Sequence, residues 1–70
     1  VGYQALKTNT GDGNTAVGAE ALELNTSGGT NTAVGGKVLY ANTTGTDNSA
    51  LGYGSLQANT EGNNNTGIGT

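Results

Sequence analysis

Cysteine, histidine, proline, tryptophan, phenylalanine and methionine are all absent from this 70-residue chain. Without cysteine the chain forms no disulfide bond and no thiolate metal site. Without histidine it lacks the commonest metal ligand and the commonest general base. These absences predict a protein that holds neither a metal nor a cofactor.

Positive charge is also scarce. Lys7 and Lys37 are the only basic residues against five acidic ones, which gives a net charge of −3. Nucleic-acid-binding proteins need basic groups to neutralise phosphates, so we expect no nucleic-acid partner. No apolar run approaches the roughly 18 residues that a membrane-spanning helix requires, so we expect no membrane insertion by this segment.

The chain is rich in glycine, threonine and asparagine, which supply 36 of its 70 residues. Such a composition ordinarily predicts disorder, because too little apolar surface can be buried. Here, however, an aliphatic-glycine pair recurs with a 17-residue period, and only the first copy is shorter, by a single position. A short fixed period is typical of stacked-repeat proteins. We number the copies repeats 1 to 4, at residues 1–16, 17–33, 34–50 and 51–67; a fifth begins at 68–70, and we expect the whole to be one segment of a longer fibre.

Two apolar columns recur at equivalent positions and predict the structural core. Stacking would place their members directly above one another, as a ladder along the fibre. The aliphatic column is Val1, Val17, Val34, Leu51 and Ile68; the leucine column is Leu6, Leu22, Leu39 and Leu56.

Two asparagine columns recur beside the apolar ones and predict corners, since asparagine tolerates left-handed backbone and bonds its own main chain. Stacked asparagines can also hydrogen-bond along a column, as in cross-β ladders. Glycines 11, 28, 45 and 62 follow the first column and predict turns with positive φ. The first column is Asn9, Asn25, Asn42 and Asn59, and the second is Asn14, Asn31, Asn48 and Asn65.

The segment 14–18, Asn-Thr-Ala-Val-Gly, combines β-branched residues with two-residue alternation and predicts a strand. The following Gly-x-x-x-Leu segment is open between extended backbone and one short helical turn, because Ala21 and Leu22 fall near one helical face. The sequence therefore predicts an all-β fold, a β-solenoid or β-roll with 17-residue coils, with a short helical turn per repeat as the alternative.

Each repeat supplies only three or four aliphatic side chains, too few to offset the conformational entropy lost when a whole repeat becomes ordered. Stacking, backbone hydrogen bonds between repeats, or other chains must supply the difference. Sharing a core among three chains would lower the demand on each one. We therefore expect self-association into a homotrimer or filament, with a thin single-chain solenoid as the alternative.

The strand segments resemble a known family. NTAVG at 14–18 and 31–35, NSALG at 48–52 and NTGIG at 65–69 are similar to the NSVAIG-type strand of trimeric autotransporter adhesin heads, although those repeats are shorter. GYQAL (2–6) and NTTG (42–45) with NTAVG resemble repeats of phage tail fibres that end in an endosialidase-type chaperone domain. The resemblance covers the whole chain and implies a left-handed β-roll of three chains. No catalytic residue of the chaperone domain is present.

The acidic residues do not form a pattern that suggests catalysis. They are scattered through the turns, and no two form an acid/base pair at one repeat position. One or two carboxylates per coil are too few for calcium, and the calcium-binding nonapeptide motif is missing. We therefore expect no enzyme and no metal site. The acids are Asp12, Glu20, Glu23, Asp47 and Glu61.

Several side chains suggest other functions. Asn25, Asn42 and Asn64 head Asn-x-Ser/Thr sequences and are glycosylation candidates, although chance alone would produce such matches in this composition. Tyr3 and Tyr53 could stack on cell-surface glycans, but packing over a neighbouring repeat is the favoured role. Regular threonines raise the alternative of an ice-binding solenoid. The main expectation is a structural segment of a phage tail fibre, adhesin or surface filament, located outside the cell or on a virion, that positions a distal binding element.

Overall fold

The computed structural model describes residues 1–69, and within that range it contains four short strands and no helix. β1 spans Thr15–Val17, β2 Thr32–Val34, β3 Ser49–Leu51 and β4 Thr66–Ile68. They form one sheet in the order β1-β2-β3-β4, and every neighbouring pair is parallel. The prediction of an all-β fold is confirmed.

Each strand pairs with the equivalent strand of the next repeat. Thr15 pairs with Thr32, Ala33 with Ala50, and Leu51 with Ile68, so every pair has the same 17-residue offset. Backbone hydrogen bonds beyond the strand ends also join successive repeats. For example, the N–H of Gly35 donates to the carbonyl of Val17 at 2.7 Å. Equivalent residues of successive repeats are therefore neighbours throughout the sheet.

The segment after each strand is a run of turns, so the alternative of a short helical turn is wrong. In repeat 2, Glu20 and Leu22 have positive φ values of 62° and 53°, and Lys37 and Leu39 in repeat 3 match them at 56° and 51°. Left-handed residues at every second position interrupt a right-handed helix. They also turn alternate N–H groups toward different neighbouring repeats. The N–H of Glu20 bonds to Tyr3 in the preceding repeat at 2.7 Å, and that of Leu22 bonds to Val38 in the following repeat at 3.0 Å.

The apolar core lies between the inner face of the sheet and the turn segments. The middle residue of each strand points inward, because side chains alternate along a strand. In β1, β2 and β3 this middle residue is alanine, and Leu22, Leu39 and Val38 are fully buried on the opposite side of the core. The two layers touch: a Cβ placed on Gly67, where the other strands have alanine, would lie 2.7 Å from Cγ of Leu56. The inward alanines are Ala16, Ala33 and Ala50.

The aliphatic column lies outside this core, so its assignment as core is wrong for the chain described. The physical reason is the two-residue alternation of a strand. If alanine points inward, the residues on either side of it must point outward. Val34 is half-buried, whereas the exposed fractions of the rest are 87% for Val1, 43% for Val17, 52% for Leu51 and 80% for Ile68. The leucine column is placed as predicted, with Leu6 and Leu56 packed against the buried leucines.

The glycines that follow the first asparagine column are required for close approach between repeats. None of Gly11, Gly28, Gly45 and Gly62 has the positive φ that the sequence suggested. A Cβ on Gly45 would instead lie 2.5 Å from the carbonyl oxygen of Gly62 and closer still to Oδ1 of Asn42. Any side chain here would push successive repeats apart.

We predict that Gly45→Ala lowers the free energy of unfolding by about 1–3 kcal/mol, because the added Cβ would clash with backbone and with a buried amide. The midpoint of urea unfolding, followed by circular dichroism, measures this effect. Gly13→Asn is the matched control. Thr30, Asp47 and Asn64 occupy the equivalent turn position with positive φ, and a Cβ on Gly13 meets nothing closer than 3.5 Å. Equal midpoints for the two variants would contradict the close-approach explanation.

Candidate functional site

The first asparagine column forms a buried ladder of side-chain amides. Asn25 and Asn42 are fully buried. Nδ2 of Asn42 donates to Oδ1 of Asn25 at 2.8 Å, and Nδ2 of Asn59 donates to Oδ1 of Asn42 at 3.0 Å. Each amide also donates to a glycine carbonyl of its own repeat, as Asn25 does to Gly28 at 3.0 Å. One side chain therefore closes its own turn and also joins two repeats.

The second asparagine column bonds the backbone as well as the next side chain. Oδ1 of Asn31 accepts from both the backbone N–H and Nδ2 of Asn48, each at 3.0 Å. Nδ2 of Asn48 also donates to the carbonyl of Gly62 at 2.8 Å. In the same way, Oδ1 of Asn14 accepts from the backbone N–H of Asn31 at 2.9 Å and from its Nδ2 at 3.1 Å. Donors and acceptors of these buried amides are therefore paired, as burial of polar groups requires.

The asparagine columns were predicted as corners, and the structure corrects the reason for their presence. None of their eight residues has positive φ, so left-handed backbone is not what selects asparagine here. Their side chains point into the molecule, where Asn25, Asn31, Asn42 and Asn48 are completely buried. An amide carries both a donor and an acceptor, so a column of identical residues can bond to itself. The ladder that the sequence raised as a secondary role is the main one.

We predict that Asn42→Asp lowers the free energy of unfolding by about 3 kcal/mol or more at pH 7, because a carboxylate has no donor for Asn25 and its charge is buried without a partner. Burial raises the pKa of this new carboxyl above its unfolded value. The loss is therefore largest at neutral pH and shrinks as the pH falls below the folded pKa.

The control is the same substitution at an exposed site, Asn64→Asp, where the preceding repeat already has Asp47. Urea midpoints at pH 4 and pH 7 compare the two variants. If Asn42→Asp is as stable as Asn64→Asp at both pH values, the buried ladder is not a main source of stability.

Of the three glycosylation candidates, the fold leaves one available. Nδ2 of Asn25 and of Asn42 is buried and donates two hydrogen bonds, so both assignments are wrong for the folded chain. Asn64 instead occupies an exposed turn with φ of 58°, and the Thr66 that completes its recognition sequence is also exposed. A glycan at Asn64 would extend into solvent.

When the chain is secreted from a glycosylating host, we predict that folded protein carries glycan at Asn64 and none at Asn25 or Asn42. Peptide mass spectrometry after enzymatic glycan release reads all three sites in one sample, so each buried site serves as an internal control. Glycan on Asn42 in folded material would contradict the buried ladder.

The outer face, defined as the outward side chains of the four strands, is mainly exposed and carries apolar groups. It consists of the strand members of the aliphatic column and a hydroxyl column beside them, and both columns follow the 17-residue register. An open groove of 270 Å³ runs over β2, β3 and β4. Sequence reasoning missed the hydroxyl column, although the alternation of Thr-Ala-Val could have indicated it. Its members are Thr15, Thr32, Ser49 and Thr66.

The aromatic and charged side chains lie on the turn segments. Tyr53 rests on the neighbouring repeat, since its ring carbon Cδ2 lies 3.0 Å from where a Cβ of Gly36 would be. This contact is the packing role favoured from the sequence, although 62% of Tyr53 and 71% of Tyr3 remain exposed. Nζ of Lys37 lies 3.8 Å from a carboxylate oxygen of Glu20 and 6.0 Å from the ring centre of Tyr40. Exposed pairs of this kind contribute little to stability.

No three potential metal-ligating side chains cluster within residues 1–69. No helix in this part of the chain is long and apolar enough to cross a bilayer. Comparisons with protein-family models, with curated proteins and with solved structures gave no match.

Proposed function

We propose that this chain is a stretch of β-solenoid with 17-residue coils, and that its function is mechanical. It would act as a stiff segment of an extracellular fibre, such as a phage tail fibre, an adhesin or a surface filament, and would hold a distal binding element away from the surface. The observation that carries the proposal is the common 17-residue offset of all three strand pairs.

Bonding between repeats supports a role that depends on repetition. The carbonyl of Thr43 accepts from the N–H of Thr26 and of Gly28, both at 3.0 Å, and the carbonyl of Thr60 accepts from Thr43 at 2.9 Å. The asparagine columns add side-chain bonds at the same offset. Each repeat thus presents the acceptors that its neighbour needs. Length can then increase by addition of identical units.

The number of chains in such a fibre is a separate proposal. One chain has few aliphatic side chains per repeat, and three chains together would form a larger apolar core. Within one chain, the asparagine columns provide stabilising contacts in addition to that apolar surface. We propose the homotrimer, and light scattering on a polypeptide of eight repeats gives the mass that tests it. A folded monomer would contradict the three-chain assembly while leaving the solenoid intact.

The solenoid itself is tested by a series of polypeptides with four, eight and twelve repeats. We predict that the maximum dimension from small-angle X-ray scattering increases by about 4.8 Å per added repeat, the spacing of neighbouring strands. Circular dichroism should show β-structure throughout the series. Growth as a compact sphere would contradict the proposal, since a globule extends in all three directions.

A further inference from the structure

The outer face presents two regular columns of different chemistry. One carries hydroxyl groups and the other carries branched aliphatic groups, and all but the half-buried Val34 are exposed. Neighbouring strands place the members of one column about 4.8 Å apart, and the two columns are separated by two residues of strand, about 6.6 Å. The parallel in-register pairing repeats this pattern at each strand.

The outer face is uncharged, and contacts on the inner side of the sheet fix its position. None of its eight side chains is ionisable, and the lysines and acids lie on other segments. The middle residues Ala16, Ala33 and Ala50 lock the strands to the core, and the second asparagine column bonds directly before each strand. Side chains with β-branches, such as Thr32 and Val34, are also restricted at χ1. The side chains of the outer face are therefore ordered before any partner binds.

We propose that the outer face binds the surface of ice, an uncharged and periodic lattice of water. The hydroxyl groups would donate to and accept from lattice waters, while the methyl groups hold the water between them in an ordered layer. Like a lattice of water, the outer face repeats in two directions, by about 4.8 Å from strand to strand and by about 6.6 Å along each strand. Rigidity lowers the entropy lost on binding, which is the advantage of a preorganised surface.

The hydroxyl column favours water over a protein partner on this face. A dry contact with another chain would bury the hydroxyls of Thr15, Thr32, Ser49 and Thr66. Each buried hydroxyl without a partner costs about 1–3 kcal/mol. Ordered water satisfies every one of them and leaves the aliphatic groups in contact with the same layer. The inference needs the strands and their register alone, and so it goes beyond the fibre role.

The test uses the 70-residue chain in a nanolitre osmometer, where freezing-point hysteresis and crystal shape are recorded. We expect faceted crystals and measurable hysteresis from the unchanged chain. Thr32→Lys should abolish both, because a strongly hydrated ammonium group disrupts the array. The matched control is Ala58→Lys, which adds the same charge at an exposed position away from the outer face and should keep both effects. Circular dichroism verifies that each variant is folded.

Three results would overturn the proposal. The first is ordinary freezing behaviour of the folded chain. The second is hysteresis that Thr32→Lys leaves unchanged. The third is a trimer in light scattering that dissociates in a folded Val34→Lys variant, since the outer face would then be a contact between copies. That last result would support the three-chain fibre, so the two proposals fail separately.

Discussion

Hydrogen bonding between equivalent asparagines of successive repeats is the interaction on which the rest of the structure depends. Asn42 illustrates why, since its amide donates to the repeat before and accepts from the repeat after. A buried amide destabilises the fold when its donors and acceptor lack partners, and it stabilises the fold when all of them are hydrogen-bonded. Identical amides at a constant offset satisfy one another. The 17-residue offset is therefore enforced by polar satisfaction as well as by strand pairing.

Close approach of the repeats follows from the same constraint. The amide of Asn42 reaches both Asn25 and the carbonyl of Gly45 because Gly45 has no side chain to separate the repeats. Alternating left-handed turns then direct N–H groups toward both neighbours, as at Glu20 and Leu22. Left-handed backbone at a residue other than glycine costs about 1–2 kcal/mol. Bonds between repeats offset that cost, which explains how a chain with so few apolar residues can keep an ordered backbone.

The outer face is left exposed because the core does not use it. Ala33 turns inward, and Thr32 and Val34 on either side of it are therefore presented outward in register with their counterparts. A fibre needs only the stacking, and any binding would be added to this face or to the turns. The residues that stack the repeats and the residues that face outward are thus different ones within each repeat. The asparagines and glycines maintain the stack, while the outward strand residues determine what it can contact.

The sequence alone determined the period, the strand segments and the leucine column. These follow from local patterns, namely recurrence, alternation and β-branched residues near Asn-Thr-Ala-Val. It did not determine which side of the strand faces inward. Val17 is the more hydrophobic residue, yet Ala16 is the one that is buried in the core with the leucines. Nor did the recurrence of asparagine at the position of Asn42 show that its side chain is buried, because that depends on what surrounds the side chain once the repeats are stacked. Tertiary packing decided both, since burial depends on neighbours that lie a full repeat away along the chain.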